Sequence, residues 1–161
     1  WLSPEKPAAT EKALEAICRA DLIVIGPVSL YTSIIPNLLV AGIPEAIRDA
    51  ACSKVLICNM MTQPGETDGY SVWDHTAKVA EYLGEGIIEY VIANNEVIGA
   101  DALKPYLEDG AEQILPTAED RRNLLEAGIT LIENNFVEIK KGYIRHDAGR
   151  IAGVISSLIC D

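Results

Sequence analysis

The chain has 161 residues, and 49% of them are hydrophobic, which suffices for the core of one domain and excludes a disordered chain. Its formal net charge is −11, from 24 acidic and 13 basic residues, so a domain that binds DNA or RNA is not expected. No apolar run reaches the length of a membrane span, because Gly26, Pro27 and Asn37 interrupt the most apolar region, and membrane insertion is therefore not expected either.

Segments with the pattern of strands and helices follow one another along the whole chain. Helices are predicted at residues 8–20, 30–40 (interrupted at Pro36), from 44 onward, 72–83, 101–109, from 117 to about 127, and 147–159. Strands are predicted at residues 22–25, 55–58, 87–93 and 112–115, with an apolar segment at 129–132 and a hairpin of 136–140 with 143–145. This alternation is typical of a single α/β domain, residues 1–161, with a mainly parallel sheet.

The first segment differs from the usual start of a doubly wound domain. It reads Trp1-Leu-Ser-Pro-Glu-Lys-Pro7, without a methionine and without the pattern of a strand. Such domains usually open with a strand, so we expect that the N-terminal strand–turn–helix units of the fold are missing from this chain.

The turn after the first predicted strand is rich in hydroxyl groups. Gly26-Pro27 ends the apolar run, and Ser29, Tyr31, Thr32 and Ser33 follow. Such a turn at the start of a helix exposes main-chain N–H groups near the positive end of the helix, which favours an anion or phosphate site. The same serine and threonine would also serve as ordinary helix caps, and the sequence leaves both interpretations open.

The loop after the second predicted strand, residues 59–70, is long and polar, with two glycines and a proline. Loops that follow parallel strands meet at the carboxyl edge of the sheet, where open α/β domains bind their ligands. The length of this loop favours binding over a bare connection. The alternative is that its polar side chains satisfy the main chain of the loop itself. The polar residues are Asn59, Thr62, Gln63, Glu66, Thr67 and Asp68.

Two further segments carry candidate side chains. Arg145-His146-Asp147 lies between a predicted strand and the last helix, and arginine suits two-bond recognition of a phosphate. Asp147 could instead be a helix N-cap. His75 follows Asp74 at the start of a helix, where a lone histidine more often has a structural role than a functional one. The four cysteines lack zinc-ligand spacing, and we expect buried, reduced thiols in a cytoplasmic protein.

Taken together, residues 26–40, residues 59–70 with Asp74-His75, and residues 144–147 resemble the gluconeogenesis factor family (YvcK-like). This family is a branch of the superfamily that includes 2-phospho-L-lactate transferase (CofD-like). The resemblance implies a Rossmann-like, three-layer αβα fold, binding of uridine-diphosphate (UDP) sugars, and a bacterial role in carbon use, cell shape and envelope precursor supply. It covers about the C-terminal half of a family member.

The resemblance also implies which residues form the site. Ligand contacts are expected from Gly26, Ser29, Tyr31, Thr32, Ser33, Asn59, Thr62, Gln63, Glu66, Thr67, His75, Tyr106 and Arg145. No catalytic residue and no metal ligand is assigned, and Mg²⁺ is the one co-ligand left open. The nucleotide sugar is the expected partner, and a homo-oligomer is expected because the missing half would leave a sheet edge exposed.

The sequence also departs from the family. The first loop of the family usually reads Gly-Pro-Gly-Ser, and Val28 replaces its second glycine; a positive φ there would strain the valine.

A metal-dependent phosphotransferase of the 2-phospho-L-lactate transferase type is the alternative function. Glu66, Asp68 and Asp74 could hold its metal, but they lack a compact spacing. Moreover, Leu30-Tyr31 stands where that branch has Asn-Pro. A scaffold role for the apolar segment 34–40 is a third interpretation.

Overall fold

The computed structural model describes residues 7–160 of the chain. The helices are α1 (Glu11–Cys18), α2 (Ile35–Leu38), α3 (Ile43–Asp49), α4 (Val72–Leu83), α5 (Ala100–Glu108), α6 (Ala118–Glu126) and α7 (Ala148–Cys160). The strands are β1 (Leu22–Ile25), β2 (Ser53–Ile57), β3 (Tyr90–Asn94), β4 (Thr130–Asn134), β5 (Val137–Lys140) and β6 (Tyr143–His146). Within residues 7–160, every helix falls short of the length and hydropathy that a membrane crossing requires.

The first four strands form one parallel sheet in the order β1-β2-β3-β4. The predicted strands at 22–25, 55–58 and 87–93 therefore share one sheet, as expected, although β3 begins three residues later than predicted, at Tyr90. Strands β5 and β6 pair with each other as an antiparallel hairpin, with Val137 opposite His146 and Lys140 opposite Tyr143. The parallel α/β fold expected from the alternation is confirmed.

Both faces of the sheet are covered, which explains why the strands are apolar without alternation. Leu56 and Val91 point to one face, where they pack among side chains of α1, α2, α3, α4 and α6. Val55 and Ile92 point to the other face, where they pack against Phe136, the hairpin and α7. With helices on both sides of the sheet, the chain has the predicted three-layer αβα arrangement.

Two segments differ from their predictions. Residues 112–115 form no strand of the sheet; they make one isolated bridge, between Met61 and Gln113, and bond to the loop after β2. The segment follows α5 at the carboxyl edge, so its nearest main chain is that loop and not a sheet strand. Predicted helix 30–40 is a π-helical turn, Leu30–Ile34, followed by α2 with Pro36 in its first turn, where a missing N–H costs nothing.

The expectation of buried thiols was wrong for two cysteines. Cys18 is exposed because it ends α1, a surface helix without a fully buried residue, and Cys52 is partly exposed. Cys58, just after β2, is buried as expected. Burial, reinforced by the negative charge of Asp120, raises the pKa of the Cys58 thiol to about 12. This thiol is therefore neutral and unreactive at physiological pH.

Candidate functional site

The turn after β1 lies tightly against β2. Gly26 has a φ of +80°, and a Cβ atom there would stand 3.0 Å from the main-chain oxygen of Ile57. Glycine is required at this position, because other residues would be strained and would collide with the strand. Val28, in contrast, is free of this strain, since Lys141 is the one non-glycine residue with positive φ in the described part of the chain. The strain considered for Val28 does not arise.

The hydroxyl groups of the first loop form a short hydrogen-bonded chain. Thr32 Oγ1 donates to Ser29 Oγ at 2.6 Å, and Ser29 Oγ donates to Glu66 Oε2 at 2.9 Å. Ser29 Oγ also accepts from the main-chain N–H of Thr32, which makes Ser29 the N-cap of the helical segment. Ser29 therefore has the capping role that was one of its two interpretations, and it also ties the first loop to the second.

The two loops are joined at two further points. The hydroxyl oxygens of Tyr31 and Tyr70 are 2.6 Å apart, and Asn59 Nδ2 donates to the main-chain oxygen of Val28 at 3.1 Å. The ring of Tyr70 meets that of His75 edge-on, with 5.4 Å between the ring centroids. The loops that follow β1 and β2 thus lie side by side at the carboxyl edge of the sheet, as expected, and form one connected unit.

Two predicted ligand residues lie inside the second loop. Thr62 Oγ1 accepts from the main-chain N–H of Glu112, and Thr67 Oγ1 accepts from that of Gln63, both at 2.8 Å. Thr62 is 4% exposed and Thr67 is fully buried. In this structure both hydroxyls hold the loop in shape, which was the alternative interpretation, and a direct ligand contact for either threonine stays a prediction.

His75 is buried below the two loops. Its Nδ1 atom is 2.8 Å from the main-chain oxygen of Ser71 and therefore donates a proton to it. Its Nε2 atom has no hydrogen-bond partner within the described residues. His75 lines a void of about 10 Å³ together with residues such as Cys58 and Asn59. Burial lowers the pKa of His75, against the opposing effect of the Ser71 bond. We assign His75 a supporting position beneath the loops.

The hairpin brings the third predicted segment to the same edge. The main-chain N–H of Ile144 donates to the Tyr106 hydroxyl at 2.9 Å, which joins β6 to α5. His146 Nε2 donates to the main-chain oxygen of Cys58 at 3.1 Å, which joins β6 to the end of β2. The guanidinium of Arg145 is exposed and lies 5.7 Å from the ring centroid of Tyr143. A main-chain hydrogen bond of Ile144 and a side-chain hydrogen bond of His146 therefore hold the two neighbours of Arg145.

A cleft of about 480 Å³ lies between the loops and the hairpin. The first loop contributes Pro27, Val28 and Ser29, the second contributes Asn59, Met60, Met61 and Gln63, and α5 with β6 contributes Tyr106, Ile144, Arg145 and His146. Five predicted site residues thus line the cleft, namely Ser29, Asn59, Gln63, Tyr106 and Arg145. The other predicted residues lie outside this lining, and two of them, Gly26 and Ser33, line a separate cavity beside β1. His146 lines the cleft without having been predicted, and its position beside Arg145 was the available signal.

The charge of the cleft lining is small and positive. Arg145 is the one permanently charged side chain among the lining residues. Burial lowers the pKa of His146, although its bond to the Cys58 carbonyl acts in the opposite direction, so the ring is neutral at pH 7. An exposed arginine beside main chain that is held in place suits the recognition of one phosphate group.

Each of the three carboxylates considered for a metal accepts a hydrogen bond from the protein itself. Glu66 accepts from Ser29, Asp68 accepts from the N–H of Gly65, and Asp74 accepts from the N–H of Ser71. Across residues 7–160, no three His, Cys, Asp or Glu side chains come together as a set of metal ligands.

The chain resembles known proteins over nearly its whole length. The family described as 2-phospho-L-lactate transferase CofD matches residues 1–137. The gluconeogenesis factor of Bacillus subtilis is 38% identical over 159 residues, which cover 99% of this chain and 49% of that protein. The gluconeogenesis factor of Halalkalibacterium halodurans is 41% identical over 155 residues, which cover 96% of this chain and 47% of that protein.

A crystal structure of a protein from Bacillus halodurans has the same fold. It superimposes with a TM-score of 0.90 at 39% identity, and the match covers 97% of this chain and 49% of that one. The present chain thus spans about half the length of these relatives.

Proposed function

The chain belongs to the 2-phospho-L-lactate transferase CofD family, and from its similarity to gluconeogenesis factors we propose that its cleft binds a UDP sugar. The protein would then act as a cytoplasmic, nucleotide-sugar-binding regulator of carbon use, cell shape and envelope synthesis. The observation that carries this proposal is the position of Arg145, which lines the same cleft as the loops after β1 and β2.

The size and lining of the cleft support a ligand of this kind. Sites for small molecules usually measure about 300–1,000 Å³ and combine apolar walls with a few polar groups. The cleft of about 480 Å³ has apolar side chains such as Met61 and Ile144, and polar groups from Asn59, Gln63 and Arg145. The arginine can take the diphosphate in charge-assisted hydrogen bonds, which are stronger than those between neutral groups.

The matches to the family and to the gluconeogenesis factors differ in extent. The CofD family match ends at residue 137, before the strand that carries Arg145 and His146. The match to the Bacillus subtilis gluconeogenesis factor covers 99% of the chain and therefore includes that strand. The segment that carries Arg145 therefore lies within the part of the chain that matches this gluconeogenesis factor. The phosphotransferase alternative rests on the family name.

Calorimetric titration of the chain with UDP-glucose, with UDP and with GDP, each with and without Mg²⁺, tests this proposal. Arg145→Ala should weaken UDP-glucose binding about ten- to a hundredfold, because a hydrogen bond to a charged group contributes about 1.5–3 kcal/mol. Arg145→Lys should recover part of the loss, since an ammonium cannot make the planar two-bond contact. Arg122→Ala, which removes the same charge from the exposed surface of α6, is the matched control and should bind as the wild type does.

Two results would contradict this proposal, and they can be told apart. Unchanged affinity in Arg145→Ala, at an unchanged unfolding temperature, would show that the arginine is a surface charge. Tighter binding of GDP than of the uridine ligands, dependent on Mg²⁺, would support the phosphotransferase alternative instead.

A further inference from the structure

A groove of about 390 Å³ lies between α4 and the end of α6, and it shares no lining residue with the cleft of the candidate site. Its volume falls in the range of about 300–1,000 Å³ that is usual for small-molecule sites. The residues that line it from α4 are spaced by three and four positions, so they form one face of the helix. The full lining is Trp73, Thr76, Ala77, Ala80, Glu85, Gly86, Glu126, Ala127 and Ile129.

The floor of this groove is apolar. The small side chains of Ala77 and Ala80 leave the space open, and Ile129, 8% exposed, lies below it. Thr76 is fully buried, and its hydroxyl hydrogen is already used, because Oγ1 donates to the main-chain oxygen of Val72 at 2.8 Å. The floor therefore suits a hydrocarbon or aromatic body.

The charged side chains of the lining are all acidic. Glu85 and Glu126 are exposed, and no lysine or arginine lines the groove. Within residues 7–160, no basic side chain forms a salt bridge with either glutamate. Lys78, on the same helix as the floor, is instead paired with Glu81 at 2.8 Å. Two carboxylates without a cation thus stand beside an apolar floor.

Both glutamates also lie at the ends of helices. Helix α4 ends at Leu83, two residues before Glu85, and Glu126 is the last residue of α6. The C-terminus of a helix carries a partial negative charge, which adds to that of the carboxylates. Arg48 donates to the Leu83 carbonyl at 3.4 Å and offsets part of this charge at α4, whereas α6 has no basic residue in its last turn. This end of the groove therefore attracts a cation.

We propose that the groove is a second ligand site, which takes a small organic cation with an ammonium group on an aromatic or hydrocarbon body. The ammonium group would lie at Glu85 and Glu126, and the body would extend along Ala80 toward Trp73. Trp73 and Ala80 are about 10 Å apart along the axis of α4, a length that a phenyl ring on a butyl chain can span. The indole ring of Trp73 offers the ring of the ligand an aromatic partner.

The size of the groove favours a small molecule over a partner protein. A specific protein interface buries about 1,200–2,000 Å² in total, so a partner would have to cover the outer surface of the two helices as well. That surface carries many exposed charges, with Asp74 and Glu81 on α4 and Glu119, Arg121 and Arg122 on α6. Charged residues are depleted at the centre of protein interfaces.

A titration followed by nuclear magnetic resonance tests this inference, with 4-phenylbutylammonium as the probe and 4-phenylbutanol as its uncharged counterpart. The chain has two tryptophans, and Trp73→Phe identifies which of the two indole N–H signals belongs to Trp73. The amine should shift this signal until it saturates. The alcohol should bind about tenfold more weakly, because it forms no ion pair with the two glutamates and gains nothing from the helix ends.

The double variant Glu85→Gln/Glu126→Gln keeps the shape of the groove and removes its charge. Its preference for the amine should fall below about threefold, while the alcohol binds as it does to the wild type. The matched control is Glu15→Gln/Glu112→Gln, which removes the same charge from exposed positions outside the groove and should keep the tenfold preference.

Three results would overturn the inference. The first is a Trp73 signal that does not move at millimolar amine. The second is equal binding of the amine and the alcohol by the wild type, which would show that the glutamates recognise no cation. The third is an equal preference for the amine in the two double variants, since the net charge of the chain would then attract the amine without a site. The proposed UDP-sugar function does not enter this test.

Discussion

The carboxylate of Asp120 accepts a hydrogen bond from the main-chain N–H of Trp73, 47 residues earlier in the chain, at 2.8 Å. Its other oxygen accepts from the N–H and the hydroxyl of Thr117, at 2.8 and 2.6 Å. One side chain, 1% exposed, thus caps the N-termini of both α4 and α6. Burial alone would raise the pKa of Asp120, but the hydrogen bonds from Thr117, Ser71 and Trp73 together lower it.

Asp120→Asn should destabilise the fold by about 2–4 kcal/mol, because it removes a charged acceptor and leaves helix N–H groups poorly satisfied. The free energy of unfolding from urea titration measures this loss. Asp109→Asn, at the exposed end of α5, is the control and should change it by less than about 0.5 kcal/mol. A similar loss in both variants would mean that Asp120 acts only through the net charge of the chain.

The two histidines should make the chain less stable in mild acid. Burial lowers the pKa of His75 and of His146 in the folded state, so between these values and about 6.5 the unfolded chain binds more protons. The contribution of each neutral histidine to the free energy of unfolding is complete above about pH 6.5. It is lost as the pH falls toward the pKa of that histidine in the folded state. The loss reaches at most about 1.4 kcal/mol per pH unit for each histidine.

Urea titrations at several values from about pH 7.5 to about pH 5 measure how the free energy of unfolding depends on pH. This range lies on both sides of the ordinary histidine pKa of about 6.5. The pair of variants His75→Asn and His146→Gln keeps the donating nitrogen near its place and removes the titrating ring. The double variant should lose most of the pH dependence. A slope that persists in it would assign the effect to carboxylates.

The bond between Ser29 and Glu66 should couple the two loops energetically. Ser29→Ala removes both a cap and the link to Glu66, and should destabilise the fold by about 0.5–2 kcal/mol. Glu66→Ala removes the link alone. If the two loops act as one unit, the losses of unfolding free energy in the two single variants will add up to a sum that differs from the loss in the double variant by at least about 0.5 kcal/mol. Strict additivity in a double-mutant cycle would show that the bond contributes nothing.

The outer edge of β1 should drive association of the chain. Within residues 7–160, β1 is an edge strand of the sheet; Val24 in this strand is 39% exposed, and Val28 just beyond it is 49% exposed. Unpaired strand edges with apolar side chains invite pairing with a second chain. We expect light scattering after gel filtration to detect dimers or larger species, and Val24→Lys to shift them to monomers. A monomeric wild-type chain at high concentration would contradict this expectation.

The sheet and its carboxyl edge could be predicted because they depend on local patterns. Apolar runs that end at Gly26-Pro27 and at Asn59 mark both the strands and the loops that follow them. The distribution of roles within the loops could not be predicted, since Thr62, Thr67 and Gln63 are equally polar in the sequence. The partner that decides the role of Thr62 is Glu112, 50 residues away.

The exposure of Cys18 was missed for a related reason. A helical apolar pattern shows which residues can be buried, but not how deeply a peripheral helix such as α1 sits on the sheet. Likewise, the pattern of residues 112–115 fits a strand, and only the position of α5 decides that this segment meets a loop instead of the sheet.

The hairpin and α7 pack on the second face of the sheet, and this same hairpin carries Arg145. One unit therefore shields Val55 and Ile92 from water and provides the cationic wall of the cleft. If the cleft binds a nucleotide sugar as proposed, a molecule whose hairpin has detached would both expose its core and lose its affinity for that ligand. The ligand would then bind only molecules in which the hairpin and the last helix are in place, and its binding would stabilise those molecules alone.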